Sequence, residues 1–437
     1  MAHTATADAQ PVTKLQPRLA VSEDWLAVLI AGIIIALVLL GVRPGIPRFG
    51  WSDPQGLTST VLTPDNLARA VQLGILLLIP ATAGALVLGA RLLPFAAGFT
   101  SLYAVACFSQ LLAGYAGSTA VGLEYVIYAL VIGLVLGHVT PMRRWLGDAV
   151  QAEYYIKIGL VVLGAGILFA ELVDAGVLGI AQAIIVVLSV WFFSFWLCKR
   201  LGVDDELSTM LSTAVSICGV SAAIAACGAI QGDRKKLSYV TSLVLVVAVP
   251  MMIVMPWIAR ATGMSEVVAG AWLGGTLDTS AAVVAAGELI SQQARNAAVV
   301  VKLSQNVLIG VAAFALTVWW TMRKDPSASP NASAAVIWER FPKFVLGFLV
   351  VSFIFSFALA DQSVTDTRGL LTGVRTAWFA MAFVSIGLET SIGDLVKTGD
   401  GRPAVAFLGG QAFNVIVTLV LAYLLFGGVL FPAPAFN

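Results

Sequence analysis

Cys218-Gly219-Val220-Ser221-Ala222-Ala223-Ile224-Ala225-Ala226-Cys227-Gly228 aligns with Leu277-Asp278-Thr279-Ser280-Ala281-Ala282-Val283-Val284-Ala285-Ala286-Gly287. Serine, the paired alanines, a later alanine and the closing glycine coincide, and Ile224 matches Val283. Each stretch follows an apolar half-helix, breaks at small polar residues and resumes as a second half-helix. A matched pair of interrupted hydrophobic segments points to a transporter binding site, because half-helix ends and unwound backbone can meet a ligand within the membrane. The segments 206–231 and 265–290 are therefore expected to be interrupted helices.

The surroundings agree with a membrane setting. Of 437 residues, 59% are hydrophobic and 11% charged, with mean hydropathy +0.93; soluble domains carry about 25% charged residues. A net charge of +1 gives no sign of a nucleic-acid partner. Apolar stretches near the roughly 20 residues needed to span run at 24–42, 70–91, 95–115, 119–139, 154–173, 177–198, 235–259, 295–321, 341–360, 369–397 and 403–428. The expected fold is all-α: a polytopic membrane protein with about 11 spanning helices plus two interrupted or re-entrant ones in inverted repeats. Its parts are a disordered tail (1–23), N-terminal membrane helices (24–115), a first repeat with the interrupted helices (116–322), a linker (323–339) and C-terminal membrane helices (340–437). The polar first twenty residues lack the apolar core of a cleavable signal peptide.

Basic residues favour the cytoplasmic side. With Lys14 and Arg18 inside, Arg91, Arg143-Arg144 and Lys199-Arg200 also fall inside. If 206–231 re-enters rather than crosses, Arg234-Lys235-Lys236, Arg323, Lys324, Lys343, Lys397 and Arg402 join them. Re-entry also gives the two interrupted segments opposite orientations. A second echo relates Gly164-Ala165-Gly166 through Asp174-Ala175-Gly176 to Gly387-Leu388-Glu389 through Gly399.

Several residues carry potential chemistry. Ser221 and Ser280 open the second half-helices, where free amides favour anions. Gly219, Gly274 and Gly275 let backbone approach a ligand, although small residues also serve close helix packing. Asp278, in an apolar context, is a functional candidate because buried charge is costly in the membrane. Lys302 pairs with Asp278 or supplies charge to an anionic substrate; both readings stay open. Gln305, Asn306, Gln411 and Asn414 fit helix-knitting amides. Glu389 is either a second buried carboxylate or a loop-side charge. The candidate substrate set is Ser216, Cys218, Gly219, Ser221, Gly275, Thr276, Asp278, Thr279, Ser280, Lys302 and Gln305, with Asp278 and Glu389 as coupling-ion candidates. No phosphate-binding Gly-x-x-x-x-Gly-Lys-Ser/Thr loop or His-Glu-x-x-His pattern occurs. Two histidines and four cysteines in apolar stretches suggest neither a metal centre nor a disulfide framework, so neither a cofactor nor an enzyme activity is expected.

The chain resembles the sulfate-exporter family of bacterial inner-membrane proteins in Ser216-Ile217-Cys218-Gly219 with Ser221-Ala222, in Val283-Val284-Ala285-Ala286-Gly287 and in Val300-Val301-Lys302-Leu303. Support comes from Gly387-Leu388 and Gly133-Leu134-Val135-Leu136-Gly137; the likeness covers about 115 to the end. Asp278-Thr279 stands where that family usually has His-Glu, and Gln305 where it commonly has arginine. The resemblance implies export of a sulfur oxyanion from the cell across the inner membrane. Through the broader bile-acid-symporter and cation/proton-antiporter superfamily, it also implies an elevator-like core moving against a panel, and homodimers. The function expected is secondary active transport of a small anion, coupled to a proton or sodium ion. A cation/proton antiporter using Asp278 and an intramembrane enzyme or sensor are the alternatives.

Overall fold

The computed structural model describes residues 22–120, 123–138, 145–324, 335–390 and 401–436. The first 21 residues of the expected tail, Arg143-Arg144, positions 325–334 of the expected linker, and the second echo beyond Thr390 with Lys397 lie outside the described residues. Among the described residues the structure is 84% helix and has no strand. Within hydrocarbon no water satisfies backbone N–H and C=O groups, so a chain this apolar closes its hydrogen bonds inside helices.

Among the described residues each of the eleven expected spans overlaps a helix, although 154–173 is broken at Gly164–Leu168. Eight helical segments among the described residues are, by length and composition, long and apolar enough to cross a membrane: Pro64–Val87, Leu92–Ala113, Phe169–Arg200, Asp205–Ile230, Arg234–Ala261, Gln292–Arg323, Asp361–Glu389 and Arg402–Phe426. Asp205–Ile230 is the first interrupted segment; the other seven are plain. Helices Glu23–Leu39, Tyr125–Gly137, Ala152–Leu163 and Lys343–Phe353 are shorter. One boundary differs from expectation. The chain turns at Gly164–Gly166, ten residues before the expected gap, and Phe169–Arg200 then runs unbroken. A Cβ at Gly164 would stand 2.5 Å from the Phe348 carbonyl oxygen, so glycine permits this close pass. The Phe169 amide donates to Ser356 Oγ at 2.9 Å, which satisfies the new helix start.

The residues divide into two compact units, Met1–Gly159 with Gly369–Glu389, and Leu160–Arg368 with Thr390–Asn437. The first is held by aromatic packing, with Tyr155 stacked on Trp378 at 5.7 Å and Phe99 edge-on to Trp378. Lys157 pairs there with Glu23 at 2.7 Å and Asp24 at 2.9 Å.

The second unit contains both interrupted segments. Their paths follow from what ties their ends. At the mouth of the first, Lys236 meets Asp204 at 2.6 Å and Glu206 at 3.2 Å, so the chain leaves and returns at one place. Asp205 there pairs with Lys199 at 2.6 Å and Arg323 at 2.7 Å. At the mouth of the second, the Ser291 hydroxyl donates to Glu266 at 2.7 Å and Arg260 to the Ile290 carbonyl at 3.3 Å. Lys236 and Arg260 mark opposite ends of helix Arg234–Ala261, whose 28 residues extend about 42 Å at 1.5 Å each. The mouths of the two hairpins thus lie near opposite ends of one helix.

Candidate functional site

Both hairpins break at their tips. In the first, helix Asp205–Thr213 widens into a π turn over Ala214–Cys218. The backbone then leaves the helical region at Cys218 (φ −150°, ψ 77°), and a second half-helix, Gly219–Ile230, begins. In the second, helix Glu266–Thr276 stops at Leu277 (ψ 135°) and restarts as Ser280–Glu288. The tips touch. A Cβ at Gly219 would lie 2.4 Å from Val244 Cγ1 and 3.1 Å from Asp278 Cβ. Glycine at 219 is therefore a requirement of the crossing.

A helix that ends inside a protein leaves carbonyls without intrahelical partners, and buried carbonyls need donors. Here three consecutive carbonyls on each hairpin receive them. Lys302 Nζ donates to Ile217 O at 2.5 Å, Leu277 O at 2.8 Å and Gln305 Oε1 at 2.9 Å. Gln305 Nε2 donates to Ser216 O at 2.8 Å and Gly275 O at 3.3 Å. Asn414 Nδ2 reaches Val215 O and Thr276 O, both at 3.2 Å, and Gln411 Nε2 reaches Thr276 O at 3.0 Å. Each of Lys302, Gln305 and Asn414 joins the two hairpins. Lys302 and Gln305 come from helix Gln292–Lys324, Gln411 and Asn414 from Arg402–Phe426. The ammonium lies at the C-terminal ends of two half-helices, where the backbone dipole carries partial negative charge.

Asp278 sits between those ends and the following half-helix. It is 2% exposed, neither carboxylate oxygen has a hydrogen-bond partner, and Lys302 attracts its charge. The side-chain oxygens of Thr276, Asn306 and Gln411 are also buried without hydrogen bonds. An unbonded buried carboxylate is expensive, which makes Asp278 the leading candidate for a functional group at the crossing.

The two serines differ. Ser280 is buried, and its hydroxyl accepts from Asn306 Nδ2 at 3.1 Å; Thr279 Oγ1 caps the helix by accepting from Ala282 N at 3.1 Å. Ser221 is half-buried, and no side chain caps its helix. Ser216, Cys218, Gly219, Ser221, Gly275, Thr276, Asp278, Thr279, Ser280, Lys302 and Gln305 all belong to this crossing. Glu389 does not. It lies in the first unit and accepts from Ala152 N at 3.3 Å.

Sequence reasoning missed Gln182, whose Nε2 donates to Ala271 O at 2.9 Å behind the second tip. A lone amide in the apolar run Gly179-Ile180-Ala181-Gln182-Ala183-Ile184 was the available signal. It also missed the buried pair Arg295–Glu288 at 2.8 Å, which fastens the end of the second hairpin. A cavity of about 150 Å³ lies elsewhere in the second unit, between Gly166–Leu168 and Phe355, Ser356, Val364 and Arg368.

The model of the family described as conserved hypothetical protein 698 matches residues 97–406, which include both hairpins and Lys302 but neither Gln411 nor Asn414. The chain is 37% identical over 343 residues to the UPF0324 membrane protein RB9488 of Rhodopirellula baltica, covering 76% of this chain and 63% of that one. It is 35% identical over 346 residues to a UPF0324 membrane protein of Nitratidesulfovibrio vulgaris, covering 76% and 59%. With the UPF0324 inner membrane protein YeiH of Escherichia coli K12 it shares 26% over 316 residues, 69% of this chain and 88% of that one. The chain thus spans about three fifths of the first two relatives. No solved structure matches it.

Proposed function

We propose that this chain, a multi-pass membrane protein that belongs to the conserved hypothetical protein 698 (UPF0324) family, is a secondary active transporter of a small anion in the cell inner membrane. Sulfate, another sulfur oxyanion or a sulfonate is the leading solute class, following the resemblance to sulfate exporters. The observation that carries the reading is the crossing of two broken hairpins around a buried Lys302 and an unbonded Asp278.

The roles follow from the chemistry of each group. The uncapped start of Gly219–Ile230, with half-buried Ser221, offers amide and hydroxyl donors to an anion. Lys302 spends three donors on protein oxygens, which are as many as an ammonium has. It therefore balances the anion's charge through space rather than by direct contact. Asp278 takes up and releases the coupling ion, a proton ahead of sodium. Two hairpins entering from opposite ends of one helix are what re-entrant segments of an inverted repeat would look like. Elevator-like movement of a core against a panel then gives alternating access, with about eleven helices crossing and a homodimer as the assembly. The reading is of a carrier, not an enzyme.

The test is uptake of labelled sulfate, sulfite, thiosulfate and taurine into proteoliposomes. One of these solutes is expected to move with the wild-type protein. Asp278→Asn should abolish net uptake driven by a pH gradient while sparing exchange of the same solute at equilibrium. A second reading, cation/proton antiport, is favoured by the cluster of unbonded oxygens on Thr276, Asp278, Asn306 and Gln411. It replaces the first if every anion stays outside while sodium or potassium collapses the pH gradient in an Asp278-dependent way.

A further inference from the structure

Around Lys302 Nζ stand two backbone carbonyls and one amide oxygen, Ile217 O at 2.5 Å, Leu277 O at 2.8 Å and Gln305 Oε1 at 2.9 Å. All three are uncharged oxygens; the Asp278 carboxylate also attracts the ammonium but has no hydrogen bond to it. Two of them close the C-terminal ends of half-helices from different hairpins, where dipoles favour a cation. Carboxylates dominate sites for divalent ions, whereas carbonyl oxygens at broken helices suit a dehydrated monovalent ion. The ammonium is 2% exposed as part of Lys302 and arrives on a helix, Gln292–Lys324, that belongs to neither hairpin.

We infer that the oxygen cage formed by Ile217, Leu277 and Gln305 is a monovalent-cation site that the protein fills with its own tethered ammonium group. Tethering keeps the cage occupied at any external salt concentration, because the ligand's effective concentration is set by the fold. The hairpin tips then stay fastened without sodium. The exchangeable charge at the crossing is left to Asp278, whose oxygens carry no hydrogen bond. Chemically, the cage accepts lithium, sodium, potassium or a small primary ammonium once the lysine side chain is removed.

The experiment uses the full chain in detergent with Asp278→Asn as background, which keeps cation binding at the carboxylate out of the reading. Asp278→Asn and Asp278→Asn/Lys302→Ala are melted by tryptophan fluorescence in chloride salts of lithium, sodium, potassium, methylammonium and the bulky N-methylglucamine, at equal ionic strength. The single variant should melt at the same temperature in every salt. The double variant should melt lower in N-methylglucamine and recover by about 5 °C in at least one small cation at saturating concentration. Lys302→Met in the same background fills the space without charge and should show no cation dependence.

A double variant that is folded and flat across all salts overturns the inference. So does one that aggregates in every salt, since an occupied cage should rescue it. Equal cation dependence in the Ala and Met variants moves the ion elsewhere and overturns it too. Solute flux plays no part in the measurement, so its outcome is separate from that of the transport reading.

Discussion

At the first tip the chain loosens gradually through the π turn Ala214–Cys218 and enters Gly219–Ile230 without a side-chain cap, leaving Val220 and Ser221 half-buried. At the second it stops sharply. Leu277 and Thr279 are extended, Thr279 caps the next half-helix, and Thr276 to Ala286 are buried throughout. The two stretches share serine, alanines and glycine in register, yet one presents an open helix start and the other a sealed one. Under the proposed transport reading, the open start would receive the solute and the sealed tip, with Asp278, would hold the coupling charge. Two similar stretches of sequence have thus produced two unequal tips.

Removing what both tips share should have the largest effect. Gln305→Leu strips donors from Ser216 O and Gly275 O and an acceptor from Lys302. Each buried group left unpaired costs about 1–3 kcal/mol. Amide hydrogen exchange should rise at both tips, in 214–222 and in 275–283. Exchange rising at one tip only would break the picture of a shared fastening.

Gly219→Ala ranks next. Its Cβ would meet Val244 and Asp278, and overpacking of this kind costs about 1–3 kcal/mol. Uptake should fall with a lowered melting temperature. An unchanged melting point would mean that the tips do not need to touch.

The smallest expected effects sharpen the contrast between the serine-bearing tips. Thr279→Ala loses a cap bond and about 1 kcal/mol, seen as faster exchange confined to 280–284. Ser221→Ala removes no bond within the protein that caps a helix. Stability should stay within about 0.5 kcal/mol, while half-saturation for the anion rises several-fold. If Thr279→Ala impairs affinity and Ser221→Ala does not, the roles of the tips are reversed.

How much was legible beforehand depends on the range of the interaction. The breaks at Cys218-Gly219 and at Leu277–Thr279 were readable, because glycine and small polar residues interrupt an apolar run within a few positions. Asp278 and Lys302 stood out as charges without charged neighbours in apolar sequence. The boundary between the fifth and sixth spans was misplaced because Asp174 and Gly176 sit within a helix that local composition suggested would end there. What ends the helix instead is the pass of Gly164 against Phe348 and the cap from Ser356, 187 residues away from Phe169. Gln411 and Asn414 were visible as intramembrane amides, but nothing local indicated that both would serve Thr276 O.

By itself, then, the order of residues determined an apolar helical chain with two interrupted segments, a lone acid and a lone base, because helix formation and its interruption depend on near neighbours. The tertiary structure alone decided that Lys302 lies on Ile217, 85 residues away, and that Asn414 reaches Val215 across 199. An unpaired carbonyl accepts from whatever donor packing delivers, so its partner is chosen by how helices pack and not by the sequence around it.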